Sequence, residues 1–175
     1  LSFVRCHTFV DELRLSKFEN IFHDLFLKTE NTILVNGLAN GYSEPIYLPA
    51  HNGSPAQIVY ANGFVTSALH EVAHWCHAGF ERRQQVDYGY WYAGDERTQL
   101  EQAKFEQVEL VPQAYEYLLS QAVGLNFSPS LDNFNVEITL DRELFFEKIK
   151  YTAKAKYITG LSPRLNLLLN ELHYD

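Results

Sequence analysis

Ser67-Ala68-Leu69-His70-Glu71-Val72-Ala73-His74-Trp75-Cys76-His77 is the stretch around which the rest of the chain is read. His70 and His74 stand four residues apart with Glu71 directly after the first, an H-E-x-x-H arrangement. Four helical residues turn through about 400°, which leaves the two imidazoles about 40° apart and about 6 Å along the axis. Both can then reach one cation, and Glu71 falls on a neighbouring face beside its open side. The flanks suit a helix. Thr66 or Ser67 is placed to cap its start, Ala68, Leu69, Val72 and Ala73 can pack inward, and Gly79 offers the stop. Such a short pattern also arises by chance, as two histidines merely satisfied in a helix. The case therefore rests on what accompanies it.

Two imidazoles need a third protein ligand to make a site with open positions. Asp95 to Val123 reads as a long helix, expected to bend near Pro112. On it Glu106, Glu109 and Gln113 share one face, flanked by Phe105, Val108 and Ala114. Glu109 is favoured as the ligand, because Gln113, four positions on, can hydrogen-bond it. Glu106 then faces substrate or supports the site, although it also stands as the alternative ligand. His77 ranks below both, since three ligands from one helix would leave the metal at its surface. Cys76 is expected to be a packed thiol. Two histidines and one carboxylate suit both a zinc peptidase and a non-haem Fe(II) oxygenase. In the first, Glu71 would be the general base for peptide hydrolysis, and spacing alone favours that reading. In the second, Glu71 would handle a proton or support the metal.

Composition narrows the class. With 175 residues, 46% of them hydrophobic, and with 12 Phe and 11 Tyr, the chain can bury a core, and one domain over 1–175 is expected. A formal charge of −8 argues against nucleic acid as a partner and suits a basic substrate. Cys6 and Cys76 are too few for a disulfide framework, and no signal peptide or membrane-length apolar run is seen, so a reduced cytoplasm is expected. The chain contains no Met and is expected to begin after its initiator.

Along the chain, Phe3 to Lys28 has helical apolar spacing, with His7 and His23 read as surface or packing residues. Thr32-Ile-Leu-Val35, Glu44-Pro-Ile-Tyr-Leu-Pro49 and Gln57-Ile-Val-Tyr-Ala61 read as strands, the second an edge segment because of its prolines. The fold class expected is α+β, mostly helical, with a small sheet of two to four strands beside the H-E-x-x-H helix. That arrangement is zincin-like, and in it a strand edge next to the helix can hold an extended peptide. Tyr88-Gly-Tyr-Trp-Tyr92, after Asp87, is too aromatic for a routine surface loop. It either covers the core or walls a pocket for a long aliphatic or cationic side chain. Asn126 to Asn135 reads as a loop, Asp141 to Tyr157 as a helix ended by Gly160, and Ser162-Pro163 as the cap and first turn of a last helix.

Several of these stretches together carry a resemblance. Glu44-Pro-Ile-Tyr-Leu-Pro-Ala50, Ala61-Asn-Gly-Phe64, Ser67 to Trp75, Asp87-Tyr-Gly-Tyr-Trp-Tyr92 and Phe105-Glu-Gln-Val-Glu-Leu-Val-Pro-Gln-Ala114 closely resemble the bacterial elongation factor P hydroxylase family, in the right order from about Glu44 to Asn133. The resemblance reverses the preference for a hydrolase. It implies O2-dependent hydroxylation of the elongation factor P lysine that already carries a β-lysyl group. It also implies a metallopeptidase-like core, with Fe(II) as the expected metal and zinc as what a purified sample could hold. By it His70 and His74 are ligands, and a glutamate of Phe105-Glu-Gln-Val-Glu109 completes the set. No second H-x-D motif with a downstream arginine is present, so no 2-oxoglutarate site is inferred and the electron donor is unassigned. The substrate side chain would be met by Asp87, Tyr88, Tyr90, Trp91, Tyr92 and Gln113, with Glu71 and Glu106 catalytic.

Overall fold

The computed structural model describes residues 9–90, 96–131, 133–135 and 137–173. The order is α1 (Phe9–Phe26), β1 (Thr32–Asn36), β2 (Ile46–Leu48), β3 (Ala56–Tyr60), α2 (Val65–His77), α3 (Gln99–Ala122), α4 (Arg142–Thr159) and α5 (Pro163–His173). Two 3-10 turns, Arg82–Gln84 and Val86–Gly89, lie between α2 and α3. The class is α+β, mostly helical with one small sheet, as expected. Among the described residues no helix is long and apolar enough to cross a membrane.

The sheet order is β1-β3-β2. β1 runs parallel to β3, Leu34 opposite Ile58, and β2 runs antiparallel to it, Tyr47 opposite Ile58. β3 is therefore central, and Ile58, Val59 and Tyr60 are all buried, as a strand covered on both faces must be. The open strand edge expected beside the H-E-x-x-H helix is not present among the described residues. The strand packed on α2 is β3, and both of its edges are already paired, so it offers no ladder to a peptide. The outer side of β2 is also taken: the Tyr47 amide donates to Asp87 Oδ1 at 2.9 Å.

α1 buries Leu15, Phe18, Phe22 and Phe26, while Phe9, Val10 and Leu13, within the same apolar-patterned stretch, are exposed. Its His23 is not an idle surface residue, because the Leu34 amide donates to His23 Nε2 at 3.0 Å and ties α1 to β1. α2 is buried over most of its circumference: Val65, Ala68, Leu69, Val72, Ala73, Trp75 and Cys76 are all in the core. It begins earlier than expected. Phe64 is the N-cap and makes no side-chain bond, while Ser67 Oγ instead accepts from the Ala61 amide at 2.9 Å. Its end is Ala78 rather than Gly79. The Arg164 guanidinium, from the start of α5, donates to the carbonyls of Trp75 (3.0 Å) and Ala78, the groups a helix end leaves bare. The same guanidinium stacks 4.7 Å from the Trp75 ring centre.

α3 packs along α2 and brings the second half of the site. It starts at Gln99, not Asp95, with a capping box: the Glu101 amide donates to Thr98 Oγ1 and the Thr98 amide to Glu101 Oε2. The helix continues through buried Pro112 to Ala122. A smaller core of Ala114, Leu131, Phe145, Ile149 and Ala153 fixes α4 on its other side.

Candidate metal centre and the cavities beside it

His70 and His74 sit one turn apart on α2, and Glu109 faces them from α3. His74 Nε2 is 3.3 Å from Glu109 Oε1, His70 Nε2 is 3.9 Å from Glu109 Oε2, and the two Nε2 atoms are 3.2 Å apart. Metal–ligand bonds of about 2.0–2.2 Å place ligand atoms about 3.0–3.5 Å apart. The donor set therefore fits a transition-metal ion with a few tenths of an ångström of adjustment. His70, His74 and Glu109 are the group among the described residues that could hold one.

The surroundings prepare the ligands. Burial works against the Glu109 charge, but His74, His70 and the Gln113 amide outweigh it and hold the carboxyl down to about 2, so it is anionic. Gln113 Nε2 is 3.3 Å from Glu109 Oε2, as the spacing suggested. The same amide is gripped by the Ser130 backbone, donating to its carbonyl at 2.8 Å and accepting from its N–H at 3.0 Å. Gln113 is fully buried and lines neither cavity described below.

Sequence reasoning did not single out Glu116. Its Oε2 lies 2.8 Å from His70 Nδ1. Burial pulls the His70 imidazole down, yet Glu116, with Glu71 and Glu109, pushes it up to about 10. A carboxylate behind a ligating histidine fixes the ring and makes it a stronger donor. The signal was present: Glu109, Gln113 and Glu116 continue one helical stripe. His77, the rival ligand, is exposed, edge-on to Tyr115, and outside the group. Cys76 is fully buried, and burial pushes its thiol up to about 12, in keeping with a packed residue.

Two cavities meet at this centre. The smaller, about 300 Å³, is lined by Tyr88, Tyr90 and Phe105 together with Glu71, Asp87 and the three donors. The larger, about 530 Å³, shares His70, Glu71, Pro45 and Ser130 with it and continues past Glu116 and Ser120 to Arg142. Burial raises the Glu71 carboxyl, His70 and His74 pull it down in part, and Glu109 and Asp87 add to the rise. Glu71 is thus a group beside the three donors whose carboxyl holds its proton more readily than an ordinary glutamate.

The Val86–Gly89 turn presents the aromatic wall. Asp87, Tyr88 and Gly89 all have positive φ (46°, 59° and 65°). The bond from the Tyr47 amide to Asp87, the Tyr47–Tyr88 stack at 4.4 Å and the Arg82 Nη1 bond to the Tyr88 carbonyl (3.1 Å) hold them there. Tyr88 consequently lies nearly parallel to His74, 14° between planes and 6.5 Å between centres. Its hydroxyl is buried and has no hydrogen-bond partner among the described residues. Of the other expected site residues, Glu106 is half-buried, 3.4 Å from Gln102 Nε2, and lines neither cavity. Trp91 and Tyr92 lie outside the described residues, as do His7 and Cys6.

An α+β domain core with a two-histidine, one-glutamate group at the junction of two helices defines a candidate metalloprotein. The particular family follows from comparison. The model for the elongation factor P hydroxylase family matches residues 21–175, well beyond the motifs between Glu44 and Asn133. The chain is also 46% identical over 125 residues to a Haemophilus influenzae protein named elongation factor P lysine hydroxylase, covering 71% of this chain and 68% of that one. The chain belongs to the elongation factor P hydroxylase family.

Proposed function

We propose that this protein is a cytoplasmic non-haem iron enzyme, one domain over 1–175, that hydroxylates the β-lysylated lysine of elongation factor P. The observation carrying the reading is the convergence of His70, His74 and Glu109 beside an aromatic and acidic cavity, in a chain of this family. Fe(II) held by this set would supply activation of O2 for insertion of one oxygen into a C–H bond. The second oxygen atom leaves as water, so two electrons must enter from an external reductant.

The chain's own residues do the rest. Glu109 and the two imidazoles would hold the metal, and Glu116 holds His70 by Nδ1, leaving its Nε2 facing His74 and Glu109. Tyr88, Tyr90 and Phe105 enclose the aliphatic part of the substrate lysine and exclude water from it. Glu71 and Asp87 attract its ammonium groups, and Glu71 holds or passes a proton beside the ion. For Trp91, Tyr92, Gln113 and Glu106, substrate or catalytic roles are supported by the sequence motifs alone. In a test with β-lysylated elongation factor P, Fe(II), a reductant and air, the product should gain one oxygen in the mass spectrum. An unmodified mass would overturn the assignment, and unchanged turnover in Glu106→Gln would remove Glu106 from the mechanism.

Glu71 directly beside a histidine ligand also favours a zinc peptidase with Glu71 as general base. That reading expects fragments in zinc buffer and their complete loss in Glu71→Gln, whereas the hydroxylase should retain a measurable part of its activity.

A further inference from the structure

α4 turns Phe145, Ile149 and Ala153 inward. At 100° per residue its opposite face carries Leu144, Lys148, Tyr151, Lys154 and Ile158. Leu144, Tyr151 and Ile158, seven residues apart in turn, are 52%, 77% and 74% exposed and form a straight apolar stripe. Single exposed apolar residues need no explanation, but three in line on one helix do. Lys148 and Lys154 flank the stripe, and neither has an ion-pair partner among the described residues. Glu143 and Glu147 lie on the same outward side, and Glu147 is paired with Lys150. α4 as a whole has five basic and two acidic residues, and its outward half sets Lys148, Lys150 and Lys154 against Glu143 and Glu147 in a chain of formal charge −8.

The position of this face matters as much as its composition. Arg142, the first residue of α4, lines the larger cavity, and its Nη1 donates to the Pro129 carbonyl at 3.0 Å. α4 therefore starts at the cavity that contains His70 and Glu71 and runs away from it for about 27 Å. The molecule presents two surfaces in sequence: a cavity holding the carboxylates of Glu71 and Glu116, then an apolar ridge edged by Lys148 and Lys154. A ligand matching both carries a cationic side chain standing off an acidic body.

We propose that the outward face of α4 docks an acidic, apolar-centred surface of the protein substrate while its modified lysine enters the cavity. This rests on the functional reading above. Leu144, Tyr151 and Ile158 supply the dry centre, and Lys148 and Lys154 the rim that steers approach.

The test is the double variant Lys148→Glu/Lys154→Glu, with Tyr151→Ser as a neutral second variant; both sites are exposed and the fold is checked by circular dichroism. With intact β-lysylated elongation factor P as substrate, KM should rise at least tenfold with kcat unchanged, and the charge variant's defect should shrink as salt rises. A short synthetic peptide bearing the same modified lysine should be turned over equally by wild type and variants. An unchanged KM for the protein overturns the proposal, as does an equal loss on protein and peptide. Sedimentation showing a wild-type dimer that the variants dissociate also overturns it, because a second copy would then cover the face. If wild type oxidises neither substrate, the functional reading falls by itself. Docking is then read by titrating metal-free protein with the modified factor. Equal binding by wild type and variants, or none by wild type, sinks it.

Discussion

On one side of the smaller cavity, His70, His74 and Glu109 project from two regular, well-packed helices. On the other, Tyr88 and Tyr90 project from a turn in which three consecutive residues hold positive φ. The helical wall needs no local strain, since its backbone bonds are internal and its apolar faces supply the packing. The turn has the reverse character. Asp87 and Tyr88 each cost on the order of 1 kcal/mol in the left-handed region, while Gly89 sits there without a Cβ penalty. Its own bonds are two, from the Tyr88 amide to the Gln85 carbonyl and from the Tyr90 amide to the Asp87 carbonyl, and contacts from elsewhere, chiefly Tyr47 and Arg82, add the rest of the hold. The ligand side is thus specified locally, and the aromatic side by the whole fold.

If that division is real, variants should separate the two walls. The largest effect is expected from Glu109→Ala: metal affinity should fall at least a hundredfold in a chelator competition, with turnover lost. Next comes Glu116→Gln, which replaces the charged partner of His70 by a neutral one. It should weaken metal binding about ten- to a hundredfold and also lower the melting temperature of the metal-free protein, since His70 loses its chief charged partner. Asp87→Ala removes both a residue tolerant of positive φ and the acceptor of the Tyr47 amide. A stability loss of about 1–2 kcal/mol is expected by denaturant titration, with metal uptake unaltered. Parallel loss of metal in that variant would show that the walls are not independent. Gly89→Ala should cost about 1 kcal/mol for its φ of 65°. The new Cβ would also lie 2.2 Å from Gln85 Oε1, a flexible end that can move aside, so Gln85→Ala should relieve little.

The two ligand groups also respond to pH. Glu109 is held below its ordinary 4.5, so without metal its contribution to stability is present above that value and is lost as pH falls toward about 2. His70 is raised above its ordinary 6.5, so its contribution is complete below that value and fades as pH climbs through about 10. Denaturation midpoints of metal-free protein should show this site helping most between about pH 4.5 and 6.5. Metal must displace the His70 proton, so uptake should release protons and tighten from pH 6 to 8, measurable by calorimetry in two buffers.

The same division explains what could be read in advance. The α+β class, the three strands, the last two helices and the Glu109–Gln113 pairing follow from periodicities of two and 3.6 residues, which sequence carries directly. Glu116 was legible in principle, being on the stripe already recognised, and so was the T-x-x-E box that starts α3 at Thr98. Other features were not. The parallel pairing of β1 with β3 joins segments separated by β2, and nothing local encodes it. The α2 start at Val65 depends on Ser67 being engaged with Ala61, a contact made only in the fold. The backbone of Asp87-Tyr88-Gly89 depends on Tyr47, forty residues earlier, and the loss of a free strand edge follows from that same bond.

The Arg164 grip on the end of α2 has a consequence for the integrity of the centre. It makes the final helix a clamp on the helix that bears both histidines, so an ion held there and the C-terminal segment should stabilise one another. A protease nick near Gly160 should therefore let the ion leak away, and a loaded molecule should resist the nick that an empty one suffers.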